Sequence, residues 1–330
     1  MVWRIHFTAG DLQRIQVSPT LGPLAETVMA MSLLRCPIAP SGLYSRWRSQ
    51  VKGRVTPQMT ALANLMPVGS KGVDLCTLTG PAPTFEQGLQ ALMAMPADHY
   101  LVEVEYVAMH HKLPEAAWAV AETAGQARFE LAQAARAAHR ALVAPYWRRI
   151  QACLHAEQVA RSRVLALGGP ERLLASIQGE LIRWRPPVLE VHMCGDVDLH
   201  LEGRGLVLVP SVFVGAVPSL HQNPNDVMAA PVLVLPVADE RVRNGHLWDG
   251  PKDRTIALAA LVGRNRAAVL SAIAEGGTTT EVASRVGISL AAASQHASVL
   301  RSAGLIITRR QGSSVLHVLT PLGAELLQAG

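Results

Sequence analysis

Thr278-Thr-Thr-Glu-Val-Ala-Ser-Arg-Val-Gly-Ile-Ser-Leu-Ala-Ala-Ala-Ser-Gln-His-Ala-Ser-Val-Leu-Arg-Ser-Ala-Gly-Leu305 is the stretch on which the reading of this chain turns. Its first four residues have the pattern of a capping box. A threonine hydroxyl can accept from the free amides of a helix start while Glu281 reaches back to it. The helix so opened carries Val282, Ala283 and Val286 and stops at Gly287. A turn of Gly287-Ile288-Ser289 follows. Ser289 can cap a second helix, which runs to about Ala303 before Gly304 ends it. Two short helices joined through a glycine turn make a helix-turn-helix pattern.

The second helix has two different faces. Ala292/Ala293, Ala297 and Leu300 recur at i, i+4 and i+7, the spacing of a buried stripe. Opposite lie Ala291, Ser294, Gln295, Ser298 and Arg301, which are small or hydrogen-bonding. Small residues let a helix sit deep in a major groove, glutamine can pair with adenine edges, and serine can bond bases or phosphates. His296 falls at the border between the faces and is a candidate base contact.

Working outward, Arg264 to Glu275 places Val269, Leu270 and Ile273 on one helical face and ends at Gly276-Gly277. On the other side, Leu305-Ile-Ile-Thr308 and Val315-Leu-His-Val-Leu319 read as strands around Arg309-Arg310-Gln311-Gly312-Ser313-Ser314. A basic hairpin tip after such a helix is a wing, whose arginines would meet phosphates or a minor groove. Pro321 opens a last short helix with Leu322, Leu326 and Leu327.

The run from Ser289 to Leu305, with Thr280-Glu-Val-Ala-Ser-Arg-Val-Gly-Ile-Ser before it and the wing after it, resembles the reading head of ArsR-type winged-helix repressors over residues 260–329. That resemblance implies a homodimer on a roughly palindromic operator in double-stranded DNA. It places Ser289, Ser294, Gln295 and His296 toward the groove and Arg309 and Arg310 in the wing. The family often senses metal through cysteines or His/Asp clusters. This chain has Thr280, Val282 and Ala283 where those cysteines would stand, so no metal is expected.

The first 250 residues read as a separate, mainly helical domain. Leu24, Val28, Met31 and Leu34 suit an amphipathic helix, and Thr84-Phe-Glu-Gln opens another with a capping pattern. Residues 37–82 are broken by five prolines. Glu115 to Leu167 favours two long helices split at Pro145, the second stopped by Gly168-Gly169-Pro170. Strands are expected at Val188–Met193, Val197–Leu201, Leu206–Val209 and Pro231–Val237, with a hairpin turn at Glu202–Gly205 and a small antiparallel sheet. Residues 218–230 read as a loop, and the linker is placed within 239–253. Ile5-His-Phe-Thr, Pro145-Tyr-Trp-Arg-Arg-Ile and Gly203-Arg-Gly-Leu-Val-Leu-Val-Pro-Ser are similar to the helical-plus-strand region of actinobacterial-type regulators with an ArsR-like C-terminal domain. That likeness implies architecture only.

The expected fold class is therefore α+β and mainly helical, with residues 1–250 as a dimerisation and effector-sensing domain and 251–330 as a winged helix-turn-helix. At 330 residues, 49% hydrophobic and 17% charged, the chain supports packed cores and is not a disordered sequence. The net charge is +5, of which residues 264–330 carry +3 from six arginines against three glutamates. Cys36, Cys76, Cys153 and Cys194 form no CxxC or Cys-His pair, which fits a reducing cytosol and no zinc. Adjacent His110 and His111 point about 100° apart on a helix and make a poor metal pair. No signal peptide or bilayer-length apolar run is read, so a cytoplasmic protein is expected.

No glycine-rich nucleotide loop or local Ser-His-Asp signature is found, so neither a cofactor nor an enzyme is expected. An enzyme with an accessory winged helix and a protein-contact module are the competing readings. A small-molecule effector is a further partner considered, on the sole ground that DNA binding does not require the first 250 residues.

Overall fold

A computed structural model describes every residue except Met1, 37–43, 66–71, 110–111, 123–124, Cys194, 239–245, 249–250, Glu275, 312–313 and Gly330. His110 and His111, the wing tip Gly312-Ser313 and most of the expected linker thus lie outside the described residues. The chain is α+β, about 59% helix with small sheets. It divides into two compact units, Met1–Leu247 and Trp248–Gly330.

The N-terminal unit opens with β1 (Trp3–His6), α1 (Ala9–Gln13) and β2 (Gln16–Val17). Helices α2 (Pro23–Arg35), α3 (Ser45–Val51), α4 (Thr60–Asn64), α5 (Leu75–Thr79), α6 (Phe85–Ala94), α7 (Ala97–Ala108), α8 (Glu115–Glu122) and α9 (Gln126–Ala138) follow. Helix α2 is not amphipathic. It is buried on every side from Pro23 to Met31, because the other helices pack around it. Thr84 caps α6 in a full capping box with Gln87, as its sequence pattern predicts.

The proline split is present, but the stretch before it is two helices, α8 and α9, where one long helix was expected. After α9 the chain makes a π turn (His139–Val143) and a 3-10 turn (Ala144–Tyr146), and α10 (Trp147–Ser176) begins beyond Pro145. Gly168-Gly169-Pro170 ends the first helical stretch of α10, as its sequence predicts. Gly169 leaves the helix at φ 75° and ψ 178°, and Pro170 starts a second helical stretch. Proline's fixed φ and missing amide suit a first helical position.

Strands β3 (Ile182–Arg185), β4 (Val188–Val191), β5 (Val197–His200), β6 (Val207–Ser211), β7 (Ser219–His221) and β8 (Val232–Pro236) complete the unit. They form two mixed four-stranded sheets, β3-β4-β1-β5 and β2-β6-β8-β7, where one small antiparallel sheet was expected. β1 runs antiparallel to β4 but parallel to β5, and β6 runs parallel to both β2 and β8. The expected hairpin at Glu202–Gly205 is instead a crossing between the sheets. Glu202, Gly203 and Gly205 hold φ of 52°, 88° and 76°. The Gly205 amide donates to Asp11 Oδ1 at 2.9 Å, and a side chain at 205 would meet the Arg14 carbonyl. The turn is pinned to α1, so β6 is carried away from β5. Within the expected loop 218–230, β7 adds an edge strand. Ile5, Leu189 and Val191 of one sheet share a core with Leu208, Leu233 and Leu235 of the other and with Leu173 and Leu174 of α10.

The C-terminal unit holds α11 (Pro251–Val262), α12 (Arg264–Ala274), β9 (Gly277–Thr278), α13 (Thr279–Val286) and α14 (Leu290–Ser302). β10 (Ile306–Gln311), β11 (Ser314–Leu319) and α15 (Pro321–Ala329) follow. The strands lie antiparallel in the order β10-β11-β9. Val269, Leu270 and Ile273 of α12, Val282 of α13 and Ala297 and Leu300 of α14 close over Leu305 and Ile306 in one core.

Among the described residues, no single helix is long and apolar enough to cross a membrane. Cys36, Cys76 and Cys153 are free thiols, and Cys194 lies outside the described residues.

Candidate nucleic-acid interface

The second helix of the pattern, α14, is set by its two ends. Thr278 caps α13, with its hydroxyl accepting the Glu281 amide and its amide donating to Glu281 Oε2 at 2.7 Å. Those donors, the Thr278 amide first, hold the Glu281 carboxyl below its usual range. Such a cap contributes about 1 kcal/mol. Gly287 closes α13 in the left-handed region at φ 72°, which a residue with a Cβ adopts at a cost. Ser289 then caps α14, its Oγ accepting the Ala292 amide at 3.2 Å.

The faces of α14 divide as the spacing predicts. Ala293, Ala297 and Leu300 are buried. Ser289, Ala291, Ser294, Gln295, Ser298 and Arg301 are exposed. His296 is half-buried beside the equally half-buried Ala292, so it flanks the exposed row and does not stand in it. Alanines in the buried stripe let α14 lie close to α12.

The arginines of the hairpin stand differently from their expected place. Both strands extend further than their apolar runs, so Arg309 pairs with Leu316 and Arg310 with Val315 inside the ladder. They project from β10, not from the tip, and both are exposed. Among the described residues neither forms an ion pair with a carboxylate. The pairing carries past Thr308 because main-chain bonds, not side-chain hydrophobicity, sustain a two-stranded ladder.

Two residues that the sequence reading passed over fasten this surface. Arg285 Nη1 donates to the carbonyls of Ala272, at 3.1 Å, and Gly276, tying α13 to the end of α12. His317, 4% exposed on β11, places Nε2 2.9 Å from Thr279 Oγ1 and Nδ1 3.2 Å from Thr308 Oγ1. Burial, with repulsion from Arg301 added, lowers its pKa below the usual 6.5. The ring is therefore neutral and can donate from one nitrogen and accept at the other. A histidine inside an apolar strand run is the one signal that could have drawn attention to it.

The N-terminal unit has buried polar groups of its own. Asp74 caps α5 through the Thr77 amide and meets His221 Nδ1 at 2.5 Å, while the Asp74 amide donates to Glu103. Burial would raise the Asp74 carboxyl, but the His221 charge and hydrogen bond and the Thr77 donors hold it well below the carboxylate range. Glu26, within the buried α2, accepts the Phe213 amide at 3.2 Å. Burial pushes its carboxyl up to about 7, against the opposing bonds from Ser211 and Phe213. These groups lock helices to the second sheet. Among the described residues no three His, Cys, Asp or Glu side chains gather in a metal-binding cluster.

Compared with known proteins, the chain matches no family model, no curated protein and no solved structure.

Proposed function

We propose that the C-terminal unit is a winged helix-turn-helix that binds double-stranded DNA, and that the chain is a homodimeric transcriptional repressor of ArsR type. The observation that carries this reading is the exposed row Ala291, Ser294, Gln295, Ser298 and Arg301 on α14, rigidly backed by Ala293, Ala297 and Leu300. It is accompanied by two exposed arginines, Arg309 and Arg310, on the strand that follows. In this reading α14 enters a major groove and Gln295 and Ser294 meet base edges. Ser289 and Arg301 meet the flanking phosphates, and Arg309 and Arg310 hold the backbone or minor groove beside them.

Pairing of two chains would set the half-sites about 34 Å apart, one helical turn of DNA. Ile256 and Leu261 on α11 and Leu322 on α15 are 69%, 75% and 55% exposed, and a second copy would cover them. The reading is tested by gel shift of the full-length chain on the DNA upstream of its own gene. A retarded band that competes with unlabelled specific DNA is expected. No shift at low salt overturns it.

A further inference from the structure

The N-terminal unit contains a hollow whose lining asks for a particular kind of occupant. It lies between α2, α3 and α4, with a volume of about 530 Å³. That is within the range of small-ligand sites, roughly 300–1,000 Å³. Met31, Val55 and Met59 supply apolar wall, and among the described residues Arg35, Arg48 and Lys52 supply the only charges in the lining. No carboxylate among the described residues lines it.

The one-sided charge runs deeper than the lining. Between Glu26 and Asp74 the sequence has no aspartate or glutamate but six cations: Arg35, Arg46, Arg48, Lys52, Arg54 and Lys71. A neighbouring groove shares Thr56 and Met59 and adds Arg54, Arg140 and Arg136, the last paired with Glu86 at 2.9 Å. The positive field at the hollow is therefore not cancelled by the next residues along the chain.

Arg48 gives the second observation. Its Nη2 donates to the carbonyls of Leu33 and Cys36, capping the end of α2, but among the described residues its buried Nε has no hydrogen-bond partner. A buried donor left unpaired is unfavourable, and an acceptor that reaches it removes that penalty. Arg35 donates Nη1 to the carbonyl of Ala63, which lines the same hollow, and that contact holds its charge there.

We propose that this hollow binds a small amphipathic carboxylate, with its hydrocarbon body along Met31, Val55 and Met59 and its headgroup among Arg35, Arg48 and Lys52. An inorganic anion would answer the charge but leave the methionine wall wet. A neutral hydrocarbon would cover the wall and leave the cations and the Arg48 donor unanswered. Only a molecule with both parts meets both demands, and a carboxylate head answers the cations with charge-assisted contacts. The site is independent of the DNA-binding reading and stands or falls by direct binding.

The test is calorimetric titration of the full-length chain with octanoate, octan-1-ol and inorganic phosphate. Octanoate is expected to bind at one saturable site, with the alcohol and phosphate each at least about tenfold weaker, a difference of roughly 1.4 kcal/mol. Lys52 is exposed, and among the described residues its side chain forms no hydrogen bond or ion pair, so Lys52→Glu should fold. It should weaken octanoate about tenfold and leave the alcohol unchanged. Thr60→Trp, at another exposed lining position, fills the hollow and should abolish octanoate binding. Equal binding of octanoate and octan-1-ol overturns the proposal. So do phosphate binding as tightly as octanoate, an unaltered affinity in Lys52→Glu, or undiminished binding in Thr60→Trp.

Discussion

The imidazole of His317 places Nε2 2.9 Å from the hydroxyl of Thr279, joining the second strand of the hairpin to the first turn of α13. Through Nδ1 the same ring reaches Thr308 on β10 at 3.2 Å. One buried side chain thus fixes the hairpin against the helix pair. His317→Ala leaves two hydroxyls without that partner and opens a gap, at a cost of about 1–3 kcal/mol. The expected outcome is a lower denaturant midpoint for the C-terminal unit with its helix content retained. The pH dependence has a definite sign. The folded pKa lies below 6.5, so the unfolded chain takes up the proton first. The stabilising contribution is present above pH 6.5 and is lost as the pH falls below it. His317→Ala should lack that component, and an unaltered acid limb in the variant contradicts the assignment.

For the proposed interface, Arg309→Ala with Arg310→Ala removes two cations that lie on β10 without carboxylate partners among the described residues. Binding should weaken on all DNA sequences alike, and the salt dependence of log K should flatten by about 2 units. Gln295→Ala should behave differently, relaxing preference among sequences and leaving the salt slope in place. Fluorescence anisotropy over a salt series separates the two. An unchanged slope in the double variant removes the hairpin from the interface.

Much of this surface was legible in the sequence because its signals are short-range. The Thr278–Glu281 box, the Ser289 cap and the Gly287 stop each involve residues within four positions, and each is formed as read. The Thr84–Gln87 box is the same case in the other unit. The sheets were not legible for the opposite reason. β1 finds its partners at Val188–Val191 and Val197–His200, far along the chain, and no local pattern records that choice. Glu202 to Gly205 reads as a hairpin turn until Asp11, at the other end of the unit, captures the Gly205 amide. Arg309 and Arg310 were assigned to a tip because the apolar run ends before them, yet the ladder continues on main-chain bonds. Glu26 was invisible as a special residue, since its burial is decided by the helices packed around α2.

That burial makes Glu26 a determinant of how stability changes between acid and neutral pH. Its pKa is raised from 4.5 to about 7 in the folded chain. A raised folded pKa means the native state holds the proton more tightly. Its stabilising contribution is complete below pH 4.5 and is lost as the pH rises through about 7. Glu26→Gln keeps an acceptor for the Phe213 amide but cannot ionise. From about pH 4 to about pH 8 the variant should gain roughly 3 kcal/mol relative to the native chain. Urea unfolding of the N-terminal unit across that range measures it. A constant difference between the two proteins shows that Glu26 does not titrate in this window.

Two glycines separate packing from helix propensity. Replacing an exposed helical glycine by alanine gains about 1 kcal/mol, since alanine loses less backbone freedom on folding. Gly10 in α1 has room for the added methyl, whose nearest neighbour, Thr8 Oγ1, would be at 3.6 Å. Gly10→Ala should therefore stabilise the N-terminal unit or leave it unchanged. Gly323 in α15 does not have that room. A Cβ there would stand 2.0 Å from the Leu305 carbonyl oxygen, which is backbone and cannot rotate away. The close approach is held from the other side too, because the Gly323 amide donates to Thr320 Oγ1 while that hydroxyl donates to the Gly304 carbonyl. Overpacking of this kind costs about 1–3 kcal/mol, more than the propensity returns. Gly323→Ala should lower the stability of the C-terminal unit, the opposite sign to Gly10→Ala. If thermal unfolding shows Gly323→Ala to be stabilising, α15 does not rest against Leu305 as the fold requires.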